Sequence, residues 1–447
     1  MAGAGRGCDG CGRSLSRHLV TGGLAGGRGF ALSALSGAAD LLAPGELEAL
    51  RDGRLEPGEL AARGYLVRGD EERAALRRAY LDFLDERERD EVQLFFVPRY
   101  ACNFGCAYCY QAGYQVAAEP VRPEVVEAFF GYVRREFAGR RAFVTLFGGE
   151  PLLPGAEART FLEDFAGRAR AAGLPLAVVT NGYHLEDSLP ALGRAELQEI
   201  QVTLDGPRAV HDARRPLKGG GPTFERVAAG LDAALRAGHP VNLRVVVDRD
   251  NLGDLPELAA YAAARGWTGH PRFKAHLGRS YELHTCGPAP GRLFDRLGLA
   301  RAFQALARQR PEVLALVRPP FGVARELAER GALPAPLFDA CPGCKTEWAF
   351  DFTGHIYACT ATVGAEGEAL GTFWPEARLD EAAVEEWRGR DVLSIPECRE
   401  CGLQLLCGGG CAALARRRTG RLRGPDCRPA RELIELGLDL YLGEERA

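Results

Sequence analysis

The placement of the cysteines constrains this chain more than any other feature. Of fourteen, three stand together at Cys102, Cys106 and Cys109 and eight fall between Cys341 and Cys427, which leaves Cys8, Cys11 and Cys286 outside both groups. Thiols gathered in this way read as metal sites rather than as a disulfide framework. An export signal is not expected, because Met1 leads into a glycine-rich polar stretch and not into a charged region followed by an apolar one. The protein is expected to be soluble and cytoplasmic, where thiols stay reduced.

A length of 447 residues with 46% apolar content suggests two or three domains with substantial cores. The net charge of −4 comes from mixed signs without a dominant basic face, so nucleic acid is not expected as a partner. No run of about 18 apolar residues occurs, so no membrane association is expected. Lys218, Lys274 and Lys345 are the only lysines, which leaves 53 arginines among the 56 basic residues. A GC-rich coding sequence accounts for that bias on solvated surfaces, where either cation serves.

Residues 1–90 read as a small α+β module. Arg17 to Val20 and Gly29 to Leu35 are predicted strands, Pro44 to Arg51 and the stretch after Gly58 are short helices, and Gly64 to Val67 is a returning strand. Asp70 to Asp90 has helical apolar spacing at Leu76, Tyr80, Leu81 and Leu84. From Val92 the pattern changes to apolar runs alternating with amphipathic helices. Predicted strands are Val92 to Val97, Ala142 to Phe147, Leu176 to Thr180, Ile200 to Leu204, Val241 to Val247 and Arg272 to His276. Predicted helices are Pro123 to Phe137, Glu157 to Ala172, Phe224 to Ala237 and Leu255 to Arg265. Six strand-helix units with nearly continuous apolar strands point to an α/β fold with a parallel sheet, a partial (β/α)6 barrel over 91–277. A helical connection is expected at 278–340, a cysteine-rich domain at 341–431, and a last amphipathic helix, Ala430 to Leu442, that leads into the closing segment 432–447.

The segment from Tyr100 to Gln111 reads YACNFGCAYCYQ, a C-x3-C-x2-C arrangement directly after the first barrel strand. Three thiolates leave one iron of a [4Fe-4S] cubane without a protein ligand. Three cysteines without a fourth fit a closed structural zinc site badly. The spacing, with aromatic Tyr108 before the third cysteine, resembles the radical S-adenosylmethionine (SAM) superfamily. The resemblance continues at Phe147-Gly148-Gly149-Glu150-Pro151, Thr180-Asn181-Gly182, Thr203-Leu204-Asp205-Gly206 with His211-Asp212 and Arg214-Arg215, and Arg244 with Asn251. It implies that SAM chelates the open iron and that an electron from the cluster cleaves the sulfonium to a deoxyadenosyl radical. It also implies cofactor contacts from Tyr108, Gly148, Gly149, Glu150, Asn181, Thr203, Asp205 and Arg244. Glu150 is expected to accept from the methionine amine. Thr203 stands where the group more often has serine.

Cys344-x9-Gly354-x4-Cys359, then Cys398-x2-Cys401-x5-Cys407-x3-Cys411 and Cys427, resembles the SPASM extension of radical SAM enzymes, which holds two auxiliary [4Fe-4S] clusters. Adding Cys341 gives eight thiolates, the number that closes two cubanes. The resemblance implies interleaved ligation, by Cys341, Cys344, Cys359 and Cys411 for one cluster and Cys398, Cys401, Cys407 and Cys427 for the other. Two interleaved zinc sites are the alternative. Cys8, Cys11 and Cys286 read as free thiols.

Enzymes with this extension mostly modify peptides or proteins, so the resemblance implies a ribosomally made precursor peptide as substrate and a low-potential donor such as ferredoxin or flavodoxin. Anaerobic formylglycine generation on a sulfatase is the alternative activity. Sulfatase maturases carry an aspartate directly after the third cysteine of the extension, where this chain has Thr360, which does not accept a proton at neutral pH as a carboxylate does. A non-catalytic electron carrier is a third reading, though it has no use for an open iron. The 1–90 module resembles the small winged modules with which peptide maturases capture a leader by strand addition.

Overall fold

The computed structural model describes residues 12–111, 113–114, 121–279 and 290–443. Cys8, Cys11 and Cys286 lie outside the described residues. The N-terminal module has five short strands: β1 (Ser14–Leu15), β2 (Leu19–Gly23), β3 (Gly29–Ser33), β4 (Ala38–Leu42) and β5 (Leu66–Val67). β2, β3 and β4 form an antiparallel sheet in that order, and β5 returns to pair with β1. The sequence pattern did not reveal β4, because Ala-Ala-Asp-Leu-Leu lacks period-two alternation; it forms because β3, buried at every position, has a second edge to satisfy. Among the described residues β4 pairs with nothing on its other side.

The helix Gly69–Arg89 leaves this module and joins it to the cysteine-rich region. Tyr80 and Phe83 lie 5.2 and 5.5 Å from Phe338 between ring centroids, and Tyr80 donates to Asp391 at 2.6 Å.

The barrel follows as six parallel strands in consecutive order: β6 (Val92–Val97), β7 (Ala142–Leu146), β8 (Leu176–Thr180), β9 (Leu197–Thr203), β10 (Val241–Val247) and β11 (Phe273–Arg279). Crossover helices connect them. They include Pro123–Glu136, Ala156–Ala171 and Phe224–Arg236, whose apolar faces bury Phe129, Phe165 and Leu231. Two barrel helices went unread in sequence, Arg208–Arg214 and Leu185–Leu192; the second carries Pro190 inside it, a residue that argues against helix until burial of Leu185 and Leu192 overrides it. β9 also begins three residues before the expected Ile200, because Gln198 and Glu199 interrupt the apolar run between Leu197 and Ile200.

The sheet does not stop at β6. A strand from the cysteine-rich region, β12 (Glu347–Asp351), pairs with β6 in parallel, with Glu347 beside Gln93. β13 (His355–Tyr357), β14 (Gly371–Thr372) and β15 (Arg378–Leu379) then extend it in antiparallel steps. The open side of the partial barrel is therefore backed by the region that holds eight cysteines. The last helix, Ala430–Tyr441, packs against Arg296–Gln309, Ala324–Arg330 and β2.

Candidate active site

The loop after β6 is held down by backbone contacts from the end of β7. Gly149 N–H donates to the Arg99 carbonyl at 3.1 Å and Glu150 N–H to that of Ala101 at 2.9 Å. A Cβ on Gly148, at φ 124°, would stand 2.6 Å from Val97 Cγ1, and one on Gly149 would overlap the Tyr100 and Ala101 carbonyls. The two glycines are thus required by the approach of two backbones, which brings the β7 end under the thiols.

Glu150 is buried and already engaged. Its Oε1 accepts from Leu152 N–H at 2.8 Å and Thr180 Oγ1 at 2.7 Å, and its Oε2 from Asn181 N–H at 2.7 Å. Burial raises its pKa, and these three donors act against the rise. The carboxylate therefore ties the end of β7 to the end of β8. Asn181 in turn donates to Asn103 Oδ1 at 2.7 Å inside the cysteine loop, with Cys102 Sγ at 3.8 Å.

Tyr108 and Asp205 also face protein partners. The Tyr108 hydroxyl donates to Asp205 and accepts from Arg215 Nη1 at 2.5 Å. Asp205 Oδ1 accepts from Val246 N–H at 3.1 Å, and Arg214 Nε lies 3.5 Å from Oδ2. Asn251 Nδ2 donates to the Asp205 and Val246 carbonyls at 2.7 and 2.9 Å. This buried network joins the cysteine loop to the ends of β9 and β10. Asp205 is its hub, and Arg215, quoted in the motif but not expected at the site, joins it through Tyr108.

These elements enclose a cavity of about 190 Å³ lined by Cys102, Cys106, Cys109, Gly148, Gly149 and Asn181, with Tyr108, Thr203, Arg215 and Arg244 completing the wall. Of the residues expected at the cofactor, Glu150 and Asp205 are the two that stand behind this wall. Through Phe147, Val179 and Arg244 the cavity adjoins a second one of about 380 Å³ in the barrel lumen. Its wall carries the polar Gln93, Thr145, Glu199 and Gln201 beside Phe95, Phe143 and Ala177, and Thr360 enters from the cysteine-rich region. An ordinary parallel barrel fills this space with Val, Ile and Leu.

Burial pushes the Cys102 thiol up to about 12, with the Glu150 charge as second cause, and raises Cys106 as well. Three clustered thiols in such a place become thiolates only beside strong positive charge, which iron supplies. The donor set fits a cluster with one open iron. A model of the radical SAM superfamily matches residues 96–262, the span that contains every one of these segments. The chain is a radical SAM enzyme. SAM and a [4Fe-4S] cluster are implied by that membership, and the reading as a mere electron carrier is set aside.

Curated relatives of this radical SAM enzyme include the serine-type anaerobic sulfatase-maturating enzyme of Klebsiella aerogenes. It is 26% identical over 342 residues, 70% of this chain and 77% of the relative. The mycofactocin maturase MftC of Mycolicibacterium smegmatis is 26% identical over 343 residues, 73% and 79% of the two chains. Among solved structures, anSMEcpe with bound AdoMet superposes with TM-score 0.62 at 19% identity, covering 79% of this chain and 94% of that one. Streptococcus suis SuiB bound to precursor peptide SuiA gives 0.52 at 13% identity, covering 91% and 97%. At these identities the structures attest the fold.

The enzyme's C-terminal thiols fall into two neighbourhoods. Cys359 is raised by burial, then by Glu347, Cys341 and Cys411, and Cys344 by burial and, more weakly, by Cys341 against the opposing charges of Arg388 and Lys345. Cys398 is raised by burial and then by Cys407, Cys427 and Cys401, and Cys427 by burial, Cys407 and Cys401. Among the described residues no three His, Cys, Asp or Glu side chains converge closely enough to hold a single metal ion. Among the described residues no helix is long and apolar enough to cross a membrane.

Proposed function

We propose that this enzyme modifies a ribosomally made peptide by radical chemistry, with Cys102, Cys106 and Cys109 holding the SAM-cleaving cluster. When bound, that cluster and SAM supply a hydrogen-abstracting radical. The observation that carries the reading is the adjacency of the cysteine-lined cavity and the barrel lumen, which share Phe147, Val179 and Arg244 in their walls. A reacting side chain held in the lumen faces the cofactor past Phe147 and Arg244, and the polar wall gives an extended peptide backbone partners for its N–H and C=O groups.

The N-terminal module supports the same reading. β4 offers an unpaired strand edge, and on it Leu41 is 52% exposed, one of two large exposed hydrophobic residues among those described. An extended leader segment adding to that edge gains backbone hydrogen bonds and covers Leu41. The SuiB structure contains its precursor peptide, and that chain covers nearly the whole of this one.

Sulfatase maturation is the second reading, favoured by the Klebsiella relative. Thr360 counts against it: its backbone N–H and Oγ1 donate to Glu347 at 2.9 and 3.3 Å, so the position presents a hydroxyl already bound to a neighbouring carboxylate. Cys341, Cys344, Cys359 and Cys411, with Cys398, Cys401, Cys407 and Cys427, hold the two auxiliary clusters in this proposal, and a low-potential ferredoxin or flavodoxin supplies the electron. The test is anaerobic reduction with SAM, which should release 5′-deoxyadenosine, followed by co-expression with the short reading frames encoded beside the gene and mass spectrometry of their products. A formylglycine mass change on a sulfatase peptide and none on those products would replace the first reading with the second.

A further inference from the structure

Three lysines stand among 53 arginines, and two of them are exposed: Lys218 and Lys274. Lys345 differs. Its side chain is 4% exposed, with Nζ 2.5 Å from Asp339 Oδ2 and 3.4 Å from the Cys341 carbonyl. A chain that uses arginine almost everywhere keeps here the compact ammonium, which fits between Asp339 and the Cys341–Cys344 turn without the space that a planar guanidinium needs.

The charges around Lys345 do not balance within the protein. Asp339 is buried and faces a second buried cation, Arg390, at 3.5 Å. Arg390 is otherwise bound to neutral carbonyls, those of Gly409, Gly410, Leu422 and Gly424, at 2.7 to 3.1 Å. The neighbouring carboxylate of Asp391 accepts from Tyr80, Leu393 N–H and Ser394 N–H. Two buried cations thus share one carboxylate, and a buried surplus charge is costly unless an anion lies beside it. Four thiolates around a [4Fe-4S]2+ core carry a net double negative charge, which becomes triple on one-electron reduction. Lys345 follows Cys344 directly in the chain and its ammonium reaches the Cys341 carbonyl, while Arg390 holds the Gly409 and Gly410 carbonyls between Cys407 and Cys411. The line Lys345–Asp339–Arg390 therefore runs from the first thiol quartet to the second.

We infer that Lys345 sets the reduction potential of the auxiliary cluster held by Cys341, Cys344, Cys359 and Cys411, favouring its reduced form so that it accepts electrons. The inference rests on the two-auxiliary-cluster reading above. A fixed buried cation stabilises the more anionic redox state, and Asp339 moderates that effect. One electron, from the low-potential ferredoxin or flavodoxin proposed above, enters the core and no bond is made or broken.

The test is a redox titration of the reconstituted full chain, followed by electron paramagnetic resonance, with iron counted per chain. Lys345→Met should disfavour reduction of one auxiliary cluster at least tenfold, a fall in midpoint of about 59 mV for one electron. Lys345→Arg keeps the charge and, if it retains iron, should stay near wild type. Asp339→Asn removes the opposing charge and should move the same midpoint upward. Unchanged auxiliary midpoints in both Lys345→Met and Asp339→Asn overturn the inference. If Lys345→Met sheds its cluster, Asp339→Asn decides alone: an upward shift sustains the inference and none overturns it. A wild-type chain that reconstitutes to about four irons instead of about twelve fails the auxiliary-cluster reading itself, and iron analysis shows this before any titration.

Discussion

Replacing Glu150 by glutamine separates two accounts of the GGEP segment. The carboxylate accepts from Leu152 N–H, Thr180 Oγ1 and Asn181 N–H, all buried. Glutamine can keep its carbonyl oxygen where Oε1 stands, which preserves the first two. Its amide then turns a donor toward the Asn181 N–H. One charge-assisted hydrogen bond is lost, about 1.5–3 kcal/mol, and one buried N–H is left unpaired, about 1–3 kcal/mol. Burial has already raised the pKa of Glu150, so removing the charge returns part of that sum. The net loss should be about 2–4 kcal/mol. At about 2–4 °C per kcal/mol for a domain of this size, the melting midpoint should fall by about 5–15 °C. Differential scanning fluorimetry under anaerobic conditions measures it, and calorimetry well below the midpoint gives SAM affinity. Melting within about 2 °C of wild type together with a tenfold or greater loss of SAM affinity would refute the reasoning, because the carboxylate would then act at the methionine amine and not as the tie between β7 and β8.

Changing Cys102, Cys106 and Cys109 together to alanine should remove about one third of the iron of the reconstituted enzyme and abolish 5′-deoxyadenosine release; loss of nearly all iron would show that the three sites fold as one unit. Gly149→Ala drives a Cβ into the Tyr100 and Ala101 carbonyls, so it should cost about 1–3 kcal/mol and loosen the central cluster, read as faster loss of its iron to a chelator. Arg390→Met leaves four carbonyls without their donor and Asp339 with one cation, a loss of about 3–5 kcal/mol seen as a lower melting midpoint and depleted auxiliary iron. Leu41→Lys on the β4 edge should raise KM for the precursor about tenfold to a hundredfold with little change in melting, since burying a leucine contributes about 1.5–3 kcal/mol; an unchanged KM would mean that the leader binds elsewhere.

Much of this molecule could be read from the chain alone. Cysteine spacing depends on local loop geometry, so Cys102, Cys106 and Cys109 announced themselves, and the apolar runs of β6, β7, β8 and β10 stood out because both their faces are buried. Other features arise only when distant segments meet. β12 pairs with β6 across some 250 residues, and no local pattern encodes the partner of an edge strand. Glu150 and Asp205 carry motif positions that suggest the cofactor, yet folding places protein donors around both carboxylates first. Lys345 looked like any other surface cation in a one-dimensional count of charges; only packing against Asp339, with Arg390 sharing the same carboxylate, made it a buried charge. Sequence records which groups are available, while burial and neighbouring charge, which depend on three-dimensional proximity, decide what each one does.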